Sequence, residues 1–327
     1  MKKIYGNENL LNILNSMIKL ERPANSVIFQ GEKGCGKKLF ADYYTAQLLC
    51  RNTENGKPCG ICSSCRNVMN HTHPDVTYAE TSGKTGGYSV KTARETVADA
   101  FIMPNNQSNR KVYIFSDCRN MSEQTQNIML KIIEEPPPYA FFIFTAESEY
   151  EFLPTIISRC MTFRISPCTE IQAVQALHDE GFSENEIQQA VSAFHGNIGM
   201  CKEFTEDENL KKKVDLTKKL SESIIRNDEY SFNVSLFSVG TERNDIFAIL
   251  SLMESLFRDS AVFAYNPDST ALSCFPEGAV RLSQRITPYQ SAEIHRIIEK
   301  TWLRIKSNVS VQLALSAMGA EIFSIIN

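Results

Sequence analysis

Apolar positions along the first half of the chain follow two rhythms. Leu10, Leu11, Leu14, Met17 and Ile18 recur at helical spacing, which predicts an amphipathic helix over residues 8–20. Residues 26–30 form a short apolar run that stops at Gly31, the pattern of a buried strand entering a glycine-rich loop, and residues 37–50 then read as a helix. Residues 111–115 and 140–144 predict two more buried strands, and residues 161–164 a fourth. Ser122 can cap a helix over 123–134, whose Met129, Ile132 and Ile133 share one face and which Pro136, Pro137 and Pro138 bring to an end. Short apolar strands alternating with helices predict an α/β domain with a parallel sheet covered on both faces.

The rhythm changes after about residue 166, where no strong strand signal remains. Residues 170–179, 183–194 and 198–205 read as short helices separated by Gly181 and Gly196. From 207 the helices lengthen. Ile246, Ile249, Leu250, Met253, Leu256 and Phe257 keep i, i+3, i+4 spacing, as do Ile294, Ile297, Ile298, Trp302 and Ile305. The expected organisation is an α/β domain over 1–165, a small helical domain over 166–206 and a larger all-α domain over 207–327.

Composition narrows the class. With 327 residues, 43% hydrophobic and a net charge of −4, the chain is neither disordered nor the strongly basic kind of nucleic-acid binder. No apolar run approaches the ~18–20 residues of a membrane helix, so no membrane partner is expected. The N-terminus is basic but lacks the apolar core of a signal peptide. Four of the ten cysteines crowd between residues 50 and 65. In a long chain without an export segment, that crowding points to reducing cytoplasm and to a metal site. Cys50, Cys59, Cys62 and Cys65 are spaced C-x8-C-x2-C-x2-C, suited to tetrahedral Zn²⁺ as a closed structural site. His71 and His73 lie nearby, and His73-Pro74-Asp75 reads as a turn into a strand. The other six cysteines read as small buried hydrophobes.

Gly31 to Lys37 fits the phosphate-loop pattern G-x-x-x-x-G-K between a strand and a helix. Backbone N–H groups around Gly31, Gly34 and Gly36 can cradle phosphate oxygens, and Lys37 can reach the outer phosphates. The next position should carry a hydroxyl that holds Mg²⁺, and here it is Lys38, whose ammonium repels a cation. The end of the 111–115 strand should carry an acidic pair, and Ser116-Asp117 supplies one carboxylate. Two separate parts of one metal-handling apparatus are missing, so the loop can keep its shape, with ATP binding weak or absent. Arg159, in Ser158-Arg159-Cys160, has two possible roles. One is a surface salt bridge, which spacing alone favours; the other is an arginine finger reaching a neighbouring subunit's ATP.

The order of phosphate loop, four-cysteine insert, Glu134-Glu135-Pro136-Pro137 and Ser158-Arg159-Cys160 resembles the clamp-loader AAA+ subunits of bacterial DNA polymerase III. His73 to Val76 is similar to a segment of that family, and Thr145-Ala146-Glu147 with Leu153 to Ile156 resembles its delta prime subunits. Asn308 to Leu315 resembles the family's last helix. The resemblance implies an AAA+ domain, a helical lid over 166–206 and an oligomerising collar over 207–327. It implies tau/gamma and delta subunits as partners, with the sliding clamp and primer-template DNA engaged through the complex. Within the family, tau/gamma motors hydrolyse ATP, whereas delta prime acts as a stator that lends an arginine finger. Motors also carry an Arg in the lid, where this chain has Gly199. Degraded nucleotide-handling positions beside a retained Arg159 imply delta prime, with Arg159 as the trans-acting finger and no polymerase or ATPase activity in the chain itself. An active tau/gamma-like ATPase is the alternative.

Overall fold

The structure, a computed structural model, describes residues 1–81, 87–104, 106 and 108–327. The chain divides into two compact units, Met1–Gln172 and Ala173–Asn327. The first contains the expected parallel sheet. Its strands are β1 (Ser26–Gln30), β2 (Val76–Tyr78), β3 (Lys111–Phe115), β4 (Ala140–Ala146) and β5 (Met161–Arg164), in spatial order β2-β3-β4-β1-β5. These strands pair in parallel throughout, with Ile28 opposite Phe144 and Phe29 opposite Phe163.

The nearly continuous apolar strands are explained by burial on both faces. Successive side chains point to opposite sides. Val27, Phe29, Val112, Ile114, Phe141 and Ile143 join one core, with α1 (Glu8–Lys19), α2 (Lys37–Leu49) and α3 (Ser63–Met69). Ile28, Tyr113, Phe115, Phe142 and Phe144 join the other, with α4 (Val90–Ala100), α5 (Glu123–Glu134) and α6 (Pro154–Ile157). On that side Tyr113 stacks on Phe142 at 5.3 Å and Phe115 on Phe144 at 5.2 Å. Ser122 caps α5 as expected, its Oγ accepting from Thr125 N at 3.2 Å.

β2 is the strand expected after the His73 turn, and it is three residues long. Among the helices, α3 and α4 go beyond the sequence expectation. α4 is missed because it buries only Ala93, Thr96 and Ala100, small residues that leave little apolar signal. α3 lies inside the cysteine segment.

The second unit is helical throughout its described residues, in agreement with the absent strand signal. After α7 (Glu170–Asp179) come α8 (Glu184–Phe194), α9 (Ile198–Glu206), α10 (Glu208–Ile225), α11 (Glu229–Phe237), α12 (Arg243–Tyr265), α13 (Pro276–Arg285), α14 (Pro288–Lys306) and α15 (Val311–Ile326). One core joins α10 to α15, built on the periodic Ile and Leu residues of α12 and α14. The fold is therefore an α/β domain with a five-stranded parallel sheet, followed by helices. Among the described residues no helix is long and apolar enough to cross a membrane.

Candidate functional site

Gly31, Gly34, Gly36, Lys37 and Lys38 come together in one turn between β1 and α2. A Cβ on Gly31 would stand 2.4 Å from the Ile165 carbonyl oxygen, so the backbone of the chain leaving β5 can approach this closely only against glycine. Gly34 and Gly36 have φ of 84° and 96°, the left-handed region that a side chain disfavours. Gly31 N donates to Ala146 O at 3.1 Å, tying the loop to the end of β4. The Lys37 ammonium is folded back across the loop and donates to Gly31 O at 2.6 Å and Glu32 O at 2.8 Å. Lys38 is exposed in the first turn of α2. Burial raises the pKa of the Cys35 thiol within the loop.

At the end of β3, Asp117 is committed elsewhere. Its backbone N–H donates to Thr145 Oγ1 at 2.9 Å, and its carboxylate accepts from Arg119 Nε at 3.3 Å. Arg119 also donates to Glu147 at 2.8 Å. Sequence reasoning missed this arginine, which occupies the acidic group that a metal would need. Ser116 offers its carbonyl to Tyr88 Oη at 2.6 Å.

The four cysteines converge. Their Sγ atoms all lie within 4.8 Å of one another, and none forms a disulfide. Backbone N–H groups of Cys59, Cys62 and Cys65 donate to the sulfurs of Cys50, Cys59 and Cys62 at 3.3, 3.4 and 3.4 Å. Burial works against a Cys62 thiolate, but the backbone N–H groups of Arg51 and Cys65 outweigh it and bring the pKa down to about 6. Cys59 is lowered as well, by the backbone N–H groups of Ile61 and Cys62, whereas burial raises Cys50 and Cys65, so the convergence of the four sulfurs rather than their titration marks the site. The residues therefore fit a metal ion with four sulfur ligands. The histidines are used differently. His73 Nδ1 accepts from Asp75 N at 3.2 Å, and the His71 ring packs on Tyr78 at 4.4 Å.

The cysteine segment is anchored to the helix that starts at the phosphate loop. Gly56 O accepts from Gln47 Nε2 at 2.8 Å, and Asn15 Oδ1 accepts from both Tyr43 Oη and Gln47 Nε2. A Cβ on Gly56 would stand 1.9 Å from Asn15 O, so α1 and the segment can touch only at glycine. Asn15 and Gln47 are buried polar residues in apolar helix faces, and that mismatch was the available signal for this anchor.

Arg159 follows α6. Its Nη1 donates to Thr155 O at 3.0 Å and Ser158 Oγ at 3.3 Å, while Nη2 pairs with Glu134 Oε1 at 3.0 Å. The Arg159 and Glu134 side chains are 35% and 55% exposed. The salt bridge favoured by spacing alone is thus present, at the surface of the α/β domain.

Residues 6–169, half of the chain, match the family described as DNA polymerase III, delta subunit. The chain belongs to that family. A gamma/tau subunit of DNA polymerase III from Mycoplasma genitalium is 31% identical over 179 residues, 54% of this chain and 29% of that protein. A delta prime subunit from Bacillus subtilis is 29% identical over 160 residues, covering 48% of this chain and 47% of that one. This chain therefore spans under half of the length of either relative. A solved structure of a gamma-subunit-related protein from Thermotoga maritima aligns over 96% of this chain and 99% of its own, at 16% identity and a TM-score of 0.43. The membership expected from the phosphate loop, cysteines, Glu-Glu-Pro-Pro and Ser-Arg-Cys holds at the level of DNA polymerase III clamp-loader subunits.

Proposed function

We propose that the chain is a delta prime-type stator of a bacterial clamp loader, which lends Arg159 to ATP bound by a neighbouring motor subunit. The observation that carries the reading is an asymmetry. Lys38 stands where a metal-holding hydroxyl belongs and Asp117 is paired with Arg119, while Arg159 is exposed. Mg²⁺ bridges the outer phosphates during hydrolysis, and this chain offers it neither usual anchor. A planar guanidinium delivered from outside can still stabilise charge developing on another subunit's γ-phosphate. Lys37 and the loop amides leave room for weak phosphate binding.

In this reading Cys50, Cys59, Cys62 and Cys65 hold one structural Zn²⁺, which braces the segment against α2 and takes no part in hydrolysis. Residues 1–165 act as the AAA+ domain, 166–206 as its lid and 207–327 as the oligomerising collar. Tau/gamma and delta subunits are the partners. The sliding clamp and primer-template DNA are engaged through the cytoplasmic complex.

The gamma/tau relatives favour a second reading, in which the chain is itself a motor. Incubation of the purified chain with Mg·ATP separates the two. The stator reading expects no steady turnover and at most weak nucleotide binding. Micromolar binding with turnover that Lys37→Ala abolishes would establish the motor.

A further inference from the structure

The pairing of Arg159 with Glu134 joins two elements that the finger reading alone does not connect. Glu134 is the last residue of α5. Helix carbonyls point outward at that end, so a basic side chain is favoured there and an acidic one disfavoured. Lys131 obeys the rule one turn earlier, and Glu134 breaks it. Three prolines follow just beyond it and restrict the backbone of the exit. A side chain set against its own helix dipole is a local inconsistency, and such inconsistencies concentrate at functional positions.

The guanidinium carries five N–H donors in a rigid plane. Thr155 O and Ser158 Oγ engage Nη1, but both move with α6 and the turn after it. Glu134 engages Nη2 from a different element, packed in the core beneath the sheet. It is therefore the contact that fixes the guanidinium relative to the α/β domain rather than to its own short helix. Among the described residues the Arg159 Nε–H has no acceptor, so one edge of the fork remains open.

We propose that Glu134 is a positioning residue for Arg159. It holds the guanidinium in one orientation with its open edge available to a triphosphate on the neighbouring subunit. The inference rests on the trans-acting reading of Arg159. An untethered arginine on the surface samples many rotamers and spends little time in a productive one, so tethering acts on the rate of the chemical step. The hydrogen bond does the positioning. The negative charge itself opposes an approaching triphosphate, so an uncharged acceptor of the same length should serve.

The test uses the clamp-loader complex reconstituted with ATP-hydrolysing subunits and this full chain carrying Glu134→Ala, Glu134→Gln, Arg159→Ala or the Glu134→Ala/Arg159→Ala pair. Subunit stoichiometry is checked for each. Glu134→Ala is expected to lower kcat for ATP about five- to tenfold while KM stays within about twofold, the signature of lost orientation rather than lost binding. Glu134→Gln should retain most of the rate. The double variant should be no slower than Arg159→Ala alone, because Glu134 acts through Arg159. If Arg159→Ala slows the complex and Glu134→Ala does not, the positioning role is overturned and the finger stands. Independent, multiplying effects of the two substitutions also overturn it. If Arg159→Ala leaves kcat unchanged, the finger reading fails and takes this inference with it. Should Glu134→Ala fail to assemble, Glu134→Asp replaces it: its shorter reach should lower kcat, and an unchanged kcat contradicts the proposal.

Discussion

The phosphate loop and the cysteine cluster lie at opposite ends of the same helix, α2, and have fared differently. The loop keeps its backbone: Gly34 and Gly36 hold left-handed conformations, and Lys37 lies across the turn. What is missing is the side-chain chemistry, with Lys38 and Ser116 in metal-holding places and Asp117 taken by Arg119. The cysteine cluster has the reverse character. Its four sulfurs converge and receive amide hydrogen bonds, while the surrounding segment has little regular structure beyond α3. The loop's shape also supports the core, since Gly31 packs on the chain leaving β5 and α2 carries Phe40, Tyr44 and Leu48 into the core. A small loop with little core of its own depends on its ligands for stability.

Removing the metal should have the largest effect on this contrast. Cys59→Ser or Cys62→Ser should abolish zinc measured by elemental analysis, and thermal unfolding should show a large loss of stability. Structural zinc is worth roughly 10 kcal/mol or more in isolated zinc-binding peptides, although here the helices of α1 and α2 retain their own core. Metal content unchanged by these substitutions contradicts the assignment of the cluster.

The anchor between the two regions comes next. Gly56→Ala forces a Cβ against the Asn15 backbone and should cost about 1–3 kcal/mol. Denaturant unfolding that gives unmodified stability would show that the segment shifts freely and is not braced on α1. The smallest effect belongs to Arg119. Its ion pairs are exposed, so Arg119→Ala should change stability by at most about 1 kcal/mol. It should leave the isolated chain unable to hydrolyse ATP, because Lys38 and Ser116 remain. Turnover released by this single change would mean that Arg119 alone had silenced a working site.

Much of this contrast was legible in the sequence. The cysteine spacing and the G-x-x-x-x-G-K run name their chemistry locally, and Lys38 and Ser116 are visible as departures without any structure. The strands β1, β3 and β4 announce themselves because burial on both faces makes them continuously apolar, whereas β5 buries only Phe163 and gives a weaker signal. The contacts were not legible where partners lie far apart in the chain. Nothing local to Arg119 says that Glu147, at the far end of β4, pairs with it beside Asp117. Likewise, Glu134 and Arg159 are separated by a proline segment, β4 and α6, and only the fold brings them within 3.0 Å. α4 was hidden because its core face is built from Ala and Thr, which carry little periodic signal.

The central claim is that this chain serves another subunit's ATP and not its own. The most direct measurement compares two variants within the reconstituted clamp-loader complex. Lys37→Ala disables this chain's phosphate loop, and Arg159→Ala removes its finger. The account predicts that Lys37→Ala leaves ATP hydrolysis within about twofold of the unmodified complex. Arg159→Ala should lower it substantially, since a finger that is the main charge stabiliser is worth roughly 10³–10⁵ at its own site, diluted in the total by the other active sites. Hydrolysis that falls with Lys37→Ala and is untouched by Arg159→Ala would contradict the account and identify the chain as a motor.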